Sequence, residues 1–174
     1  MKQYESFLEL ALSRYSVRSF DPRQIEEEKM NRILQAGQAA PTAANMQPQQ
    51  IMVLQSEEAL AAMRSVTPYT FKAPTIILMC ADLRQAWRGA DGFNSAHVDT
   101  AIVLTHMMLQ AWDEGIGSCW VRGFDKRLMQ QVFGLPDYLE PVSILPLGYP
   151  SEKAKPAKGW HDARKDLKET VHFI

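Results

Sequence analysis

The sequence lacks most of the features that give a function away quickly. It has two cysteines, Cys80 and Cys119, far apart and each within an apolar stretch. That pattern supplies neither a disulfide framework nor a thiolate metal site, and both read as small core residues of a cytoplasmic protein. Charge of one sign is absent: 19 basic residues face 20 acidic ones, a net of −1. No basic field draws in nucleic acid or anionic lipid, although two or three well-placed cations could still bind a small anion. No run approaches the ~18 apolar residues of a membrane span. Met1–Ser13 carries Glu5 and Glu9 where a secretory segment would be apolar, so no signal peptide is expected. Glycine is scarce, and Gly115-x-Gly117 ends a helix instead of opening one, so no dinucleotide-binding βαβ unit is present. His97 and His106 miss the i, i+4 spacing of helical metal ligands, and no metal is expected. Sequence order alone argues for no Ser–His–Asp or Cys–His system.

What remains is an ordinary globular composition, 46% hydrophobic and 22% charged. A chain of 174 residues is read as one domain, residues 1–174, burying roughly 70% of its unfolded surface. Apolar periodicity predicts helices over Tyr4–Ser13, Ile25–Ala40, Glu57–Val66, Phe93–Glu114 and Asp125–Phe133. Four short apolar runs, Gln50–Gln55, Pro74–Ala81, Gly117–Val121 and Pro141–Leu147, predict strands, with a further terminal strand at Thr170–Ile174. Helices and strands alternate, so the class is α+β around one sheet. The Phe93–Glu114 helix is apolar on most faces, which suits a domain centre or a surface shared by two subunits. The polar stretch after Tyr149 is long for a loop, and residues 149–174 are read as an arm reaching a second subunit.

Two clusters stand out. Arg14-Tyr15-Ser16-Val17-Arg18 follows the first predicted helix. Ala40-Pro41-Thr42-Ala43-Ala44-Asn45-Met46-Gln47-Pro48 follows the second. A third segment, Gly115 to Phe124, ends in Val121-Arg122-Gly123, and a fourth, Arg164 to Val171, is highly charged. In this order the clusters resemble the nitroreductase family of FMN-dependent oxidoreductases, and the resemblance runs from Tyr4 to Val171.

The resemblance implies a nitroreductase-like fold, a central mixed sheet flanked by helices, in an intertwined homodimer with two flavin sites at the interface. It implies that Arg14 and Ser16 serve the phosphate and ribityl side of FMN, with Arg18 near the pyrimidine edge and Tyr15 also among the cofactor-binding residues. Pro41, Thr42, Ala43 and Asn45 would contact a flavin held mainly by the other subunit, with Gln47 bracing the loop. Val121, Arg122 and Gly123 would aim a backbone N–H at flavin N5, and Arg164 would be a second phosphate ligand. The expected activity is hydride transfer from NADH or NADPH to flavin and then, by a ping-pong mechanism, to nitroaromatics, quinones or similar electrophiles. No protein side chain need act as acid or base. Alternatives are a flavin-binding redox sensor without turnover, or a specialised relative such as a reductive dehalogenase. The short Asp82–Gly92 stretch favours an open, unspecialised pocket. The chain departs from the family pattern at Gln49, where tryptophan is common, at Asp166 in place of proline, and at Asp162 in place of a basic residue. Lys158 could substitute for that missing cation. Phe71 and Lys72 fall where some relatives place flavin-edge contacts.

Overall fold

The computed structural model describes residues 4–174. Its elements are α1 (Phe7–Ser13), α2 (Glu27–Gln38), β1 (Gln49–Leu54), α3 (Glu57–Val66), β2 (Thr75–Asp82), α4 (Ala96–Asp113), β3 (Gly117–Ser118), α5 (Lys126–Phe133), β4 (Leu139–Gly148) and α6 (Leu167–Thr170). A 3₁₀ turn at Ala43–Asn45 lies between α2 and β1. The four strands form one sheet in the order β1-β2-β4-β3.

The two central strands explain the apolar runs. Both are buried along nearly their whole length, because helices cover both faces of the sheet. Ile77 and Met79 on β2 and Leu145 on β4 pack with Ile33 of α2 and Val103, Leu104 and Met107 of α4. The alternate residues Ile76, Leu78 and Ile144 pack on the opposite side with Met63 of α3 and Met129 of α5. Side chains alternate between faces along a strand, so a strand buried twice needs apolar residues at every position. Gly37 lets α2 approach α4 closely: a Cβ there would stand 2.7–2.8 Å from the Met107 side chain.

Three expectations need correction. The sheet is not mixed: β1–β2, β2–β4 and β3–β4 all pair antiparallel. The cause is the β1–β2 connection, which leaves and re-enters at the same end of the sheet. Leu54, the last residue of β1, stands opposite Ile76 near the start of β2. The one parallel contribution among the described residues is an isolated bridge, Ser16 to Ser118. The third strand does not run unbroken to Val121. Gly117 and Ser118 pair with Gly148 and Leu147, and Val121 pairs with Ile144 in the same register. Between them Cys119 donates its N–H to the Pro146 carbonyl at 3.2 Å, and proline has no N–H to return. The terminal strand does not form: residues 171–174 have no regular structure, and Thr170 ends the one-turn helix α6. Asp166 caps it, with Glu169 completing a capping box. The proline-to-aspartate departure at 166 thus supplies the cap. Smaller shifts occur at helix starts: α4 begins at Ala96 rather than Phe93, because Trp87–Ser95 closes on itself through the Arg88–Asn94 bridge and the Ser95 N–H to Trp87 carbonyl bond.

Candidate functional site

The first cluster is built by an edge of the sheet. Helix α1 ends at Arg14, whose N–H still bonds Leu10. The chain then turns extended, and the Val17 N–H donates to the Ser118 carbonyl at 2.8 Å. Val17 is fully buried and packs onto Gly117, where a Cβ would clash with it at 2.6 Å. In extended backbone, neighbours of an inward residue point outward, so burying Val17 turns Ser16 and Arg18 to the other side. Tyr15 sits edge-on against Trp112 of α4, centroids 5.1 Å apart, and Trp112 Nε1 donates to Ser13 Oγ at 2.9 Å.

The tail returns to the same edge. The Ser151 N–H donates to Ser19, and residues from Ala157 onward fold over the cluster. A polar cavity of about 110 Å³ results, lined by Arg14, Tyr15, Ser16, Arg18, Ala157, Trp160, His161 and Arg164. Five of the residues singled out from sequence meet here: Arg14, Tyr15, Ser16, Arg18 and Arg164. Lys158 does not line the cavity, so Arg164 is the tail's cation at this place. Trp160 and His161 were missed by sequence reasoning. Trp160 carries the Arg18 guanidinium over its ring at 5.6 Å, and its carbonyl accepts from Arg164 at 3.1 Å.

The electrostatics of the cavity favour an anion. Among the described residues no carboxylate lies within 4.0 Å of the Arg14, Arg18 or Arg164 guanidinium. Burial, reinforced by the like charge of Arg164, pushes the Arg14 pKa down, though a guanidinium remains protonated at neutral pH. Beneath the cavity, burial raises the Cys119 thiol, against the opposing influence of Arg18, Ser16 and Arg14. A group with two negative charges and several acceptor oxygens suits this arrangement.

The third cluster follows directly from β3. The Gly123 carbonyl accepts from the buried Thr67 hydroxyl at 2.6 Å, and the Tyr69 ring lies where a Gly123 Cβ would be, 2.8 Å away. The Phe124 N–H folds back to the Arg122 carbonyl. The Arg122 and Gly123 N–H groups have no acceptor among the described residues, leaving two backbone donors for a ligand. Phe71 and Lys72 belong to the adjoining turn, and both hold positive φ, 52° and 56°.

The second cluster does not reach the arginine cavity within one chain. Pro41, Thr42, Ala43 and Asn45 form a loop in which Ala44, Asn45 and Gln47 all have φ near +50°. Such a backbone costs a non-glycine residue roughly 1–2 kcal/mol. Gln47 braces it: its N–H donates to Thr42 Oγ1 and its side chain to the Asn45 carbonyl. Asp99, two residues after His97 in α4, accepts the Ala43 N–H at 2.8 Å. His97 itself bonds Glu140, and His106 bonds the Ile102 carbonyl of its own helix.

Two apolar surfaces remain open. Helix α4 exposes Val98, Ala101 and Ile102 in one shallow groove. Helix α1 buries nothing and leaves Phe7, Leu8 and Leu12 largely exposed. No helix among the described residues is long and apolar enough to cross a membrane.

The model of the Nitroreductase family matches residues 11–69 and 67–149. A nitroreductase family protein from Clostridium difficile 630 is 37% identical, with a TM-score of 0.91 and coverage of 97% of this chain and 98% of that one. An FMN-dependent nitroreductase from Clostridium difficile R20291 is 25% identical with a TM-score of 0.79, covering 96% of this chain and 98% of that one. A Methanothermobacter thermautotrophicus protein, provisionally named NADH dehydrogenase/NAD(P)H nitroreductase, is 30% identical over 83% of this chain and 78% of its own length.

Proposed function

This chain belongs to the nitroreductase family, and from that premise we propose that it is an FMN-dependent oxidoreductase using NAD(P)H. The carrying observation is the convergence of Arg14, Arg18 and Arg164 on one polar cavity without a countercharge. Arg14 and Arg164, with the Ser16 hydroxyl, hold the phosphate. Arg18, exposed, donating to the Ser16 carbonyl at 3.2 Å and resting over Trp160, faces the pyrimidine edge, where a cation favours the reduced ring. Tyr15, fixed against Trp112, walls the ribityl side. The unpaired N–H groups of Arg122 and Gly123 are the donors for the ring's N5, and Thr67 and Tyr69 hold their turn still. When bound, FMN supplies the centre that takes a hydride from NAD(P)H and passes electrons to a nitroaromatic, quinone or similar electrophile in two half-reactions. The protein orients, excludes water and holds charge in place; no side chain in the site is required as a proton donor.

Pro41, Thr42, Ala43 and Asn45 sit apart from the cavity in one chain. Their place in a flavin site is therefore argued through a homodimer, in which the loop of one subunit covers the ring held by the other. The uncovered apolar stripe of α4 and the exposed face of α1 support that assembly. The test is the absorption spectrum of the purified protein, followed by NADPH addition without oxygen. A yellow protein bleached within seconds is the expected result. A yellow protein that NADPH leaves unbleached would be a flavin binder without turnover, and a colourless one that ignores added FMN would end the reading.

A further inference from the structure

Asp99 is a buried acid that the proposed chemistry does not use. It lies in the first turn of α4 and is 1% exposed. No cation pairs with it among the described residues. One carboxylate oxygen accepts the Ala43 N–H at 2.8 Å and the other accepts from Ser95 Oγ at 2.7 Å. A carboxylate buried without a cation is costly to retain, even at a helix N-terminus where the dipole favours it. An apolar side chain there would leave the Ala43 N–H and the buried Ser95 hydroxyl without this acceptor, and of the two only Ala43 lies outside the start of α4.

The Ala43 loop is what it touches. Ala44, Asn45, Met46 and Gln47 are all exposed, so packing does not hold them. The loop's other hydrogen bonds, Asn45 N–H to Thr42, Met46 N–H to Ala43, Gln47 N–H to Thr42 and the Gln47 side chain to Asn45, are internal. They shape the loop; its far end is held where Pro48 is buried and its carbonyl accepts the Asp82 N–H at 2.8 Å, and within residues 42–47 the Asp99 bond is the tie to the body of the protein among the described residues. Three left-handed residues within four positions would relax if the tie were cut.

We infer that Asp99 is a positioning residue for the flavin site: through the Ala43 N–H it locks the strained Thr42–Gln47 loop in the orientation that meets the cofactor held by the partner subunit. This rests on the reading above, which gives that loop to the flavin. Ordering the loop in advance removes an entropic cost from binding. The lever acts on cofactor affinity and leaves the arginine cavity untouched.

The experiment compares FMN dissociation constants of the full-length wild-type protein, Asp99→Asn and Asp99→Ala, with hydrogen exchange of the 42–47 amides in the flavin-free proteins. Asn keeps an acceptor for Ala43, and the Ser95 hydroxyl can accept from its amide. Asp99→Asn should therefore stay within about threefold of wild type, while Asp99→Ala binds FMN at least about tenfold more weakly and exchanges the loop amides faster. If Asp99→Ala does not fold, Asp99→Ser, which keeps a polar group but falls short of Ala43, replaces it with the same expected outcome. A truncated variant that melts lower yet binds FMN as tightly as wild type overturns the inference, since a purely structural acid would behave so. A wild-type protein that takes up no FMN overturns the functional reading itself, and the inference with it.

Discussion

Arg14 is the residue on which the cavity turns. It is half-buried, stands within the field of Arg164, and its guanidinium has no carboxylate partner among the described residues. A charge-assisted hydrogen bond to a phosphate is worth about 1.5–3 kcal/mol, so Arg14→Ala should raise the FMN dissociation constant roughly ten- to a hundredfold. Flavin fluorescence titration measures it. The flavin-free variant should be no less stable than wild type in a melting experiment, because one of two mutually repelling cations has gone. An unchanged affinity would remove Arg14 from the phosphate site. Arg14, Ser16 and Arg18 were legible from sequence because a short segment dense in donors is conspicuous after a helix. Trp160 and Asp99 were not. A tryptophan in a polar tail signals nothing about what it covers. An acid among Val98, Thr100 and Ala101 reads as a surface residue until the helix's outward face is known.

At the level of elements, the end of β2 shows how a loop is held beside the sheet. Asp82 is nearly buried and receives the Arg84 side chain at 2.7 and 3.0 Å, the Arg84 N–H at 3.0 Å and Gln85 at 3.1 Å. The Arg84 guanidinium lies 3.3 Å over the Tyr138 ring. Hydrogen bonding by Arg84 takes the Asp82 carboxyl from its ordinary 3.8 down to about 2. A pKa lowered by folding stabilises the native state above the unfolded value and loses that contribution as pH falls through the folded one. Arg84 is mostly exposed, so solvent screening keeps the effect modest. Asp82→Asn should melt a few degrees below wild type at pH 6, with the gap closing between about pH 4 and pH 2. Thermal melts across that range check it; a gap that persists at pH 2 would mean the charge is not the cause. The sequence signals for elements were strong where burial is periodic, as in α2, α3 and β2. They failed where pairing decides. Strand direction depends on where the β1–β2 connection re-enters the sheet, and the break in β3 depends on a proline, Pro146, that lies on another strand. The four residues of α6 were missed although Asp166 and Glu169 carry the capping spacing, because apolar Val171, Phe173 and Ile174 invited a strand.

The whole molecule poses the question its parts leave open. Within one chain the arginine cavity and the Pro41–Asn45 loop do not meet, yet both carry the groups a flavin needs. Val98 is 50% exposed on α4, beside half-buried Ile102, and Phe7, Leu8 and Leu12 of α1 are more exposed still. Such surface on a chain of 19.7 kDa suits cover by a second copy. Val98→Asp separates the possibilities. In a lone chain an exposed substitution changes stability by no more than about 0.5 kcal/mol. In a dimer it buries an unpaired carboxylate, which association cannot tolerate. Sedimentation should find wild type at about twice the chain mass and Val98→Asp at the chain mass, melting lower because association no longer stabilises the fold. Because the ring would then lack its second wall, the monomeric variant should also lose most of its FMN affinity while its arginine cavity stays intact. Loss of dimer with full retention of FMN would mean that one chain completes the site alone. The loop at Ala43, and Asp99 beneath it, would then need another purpose.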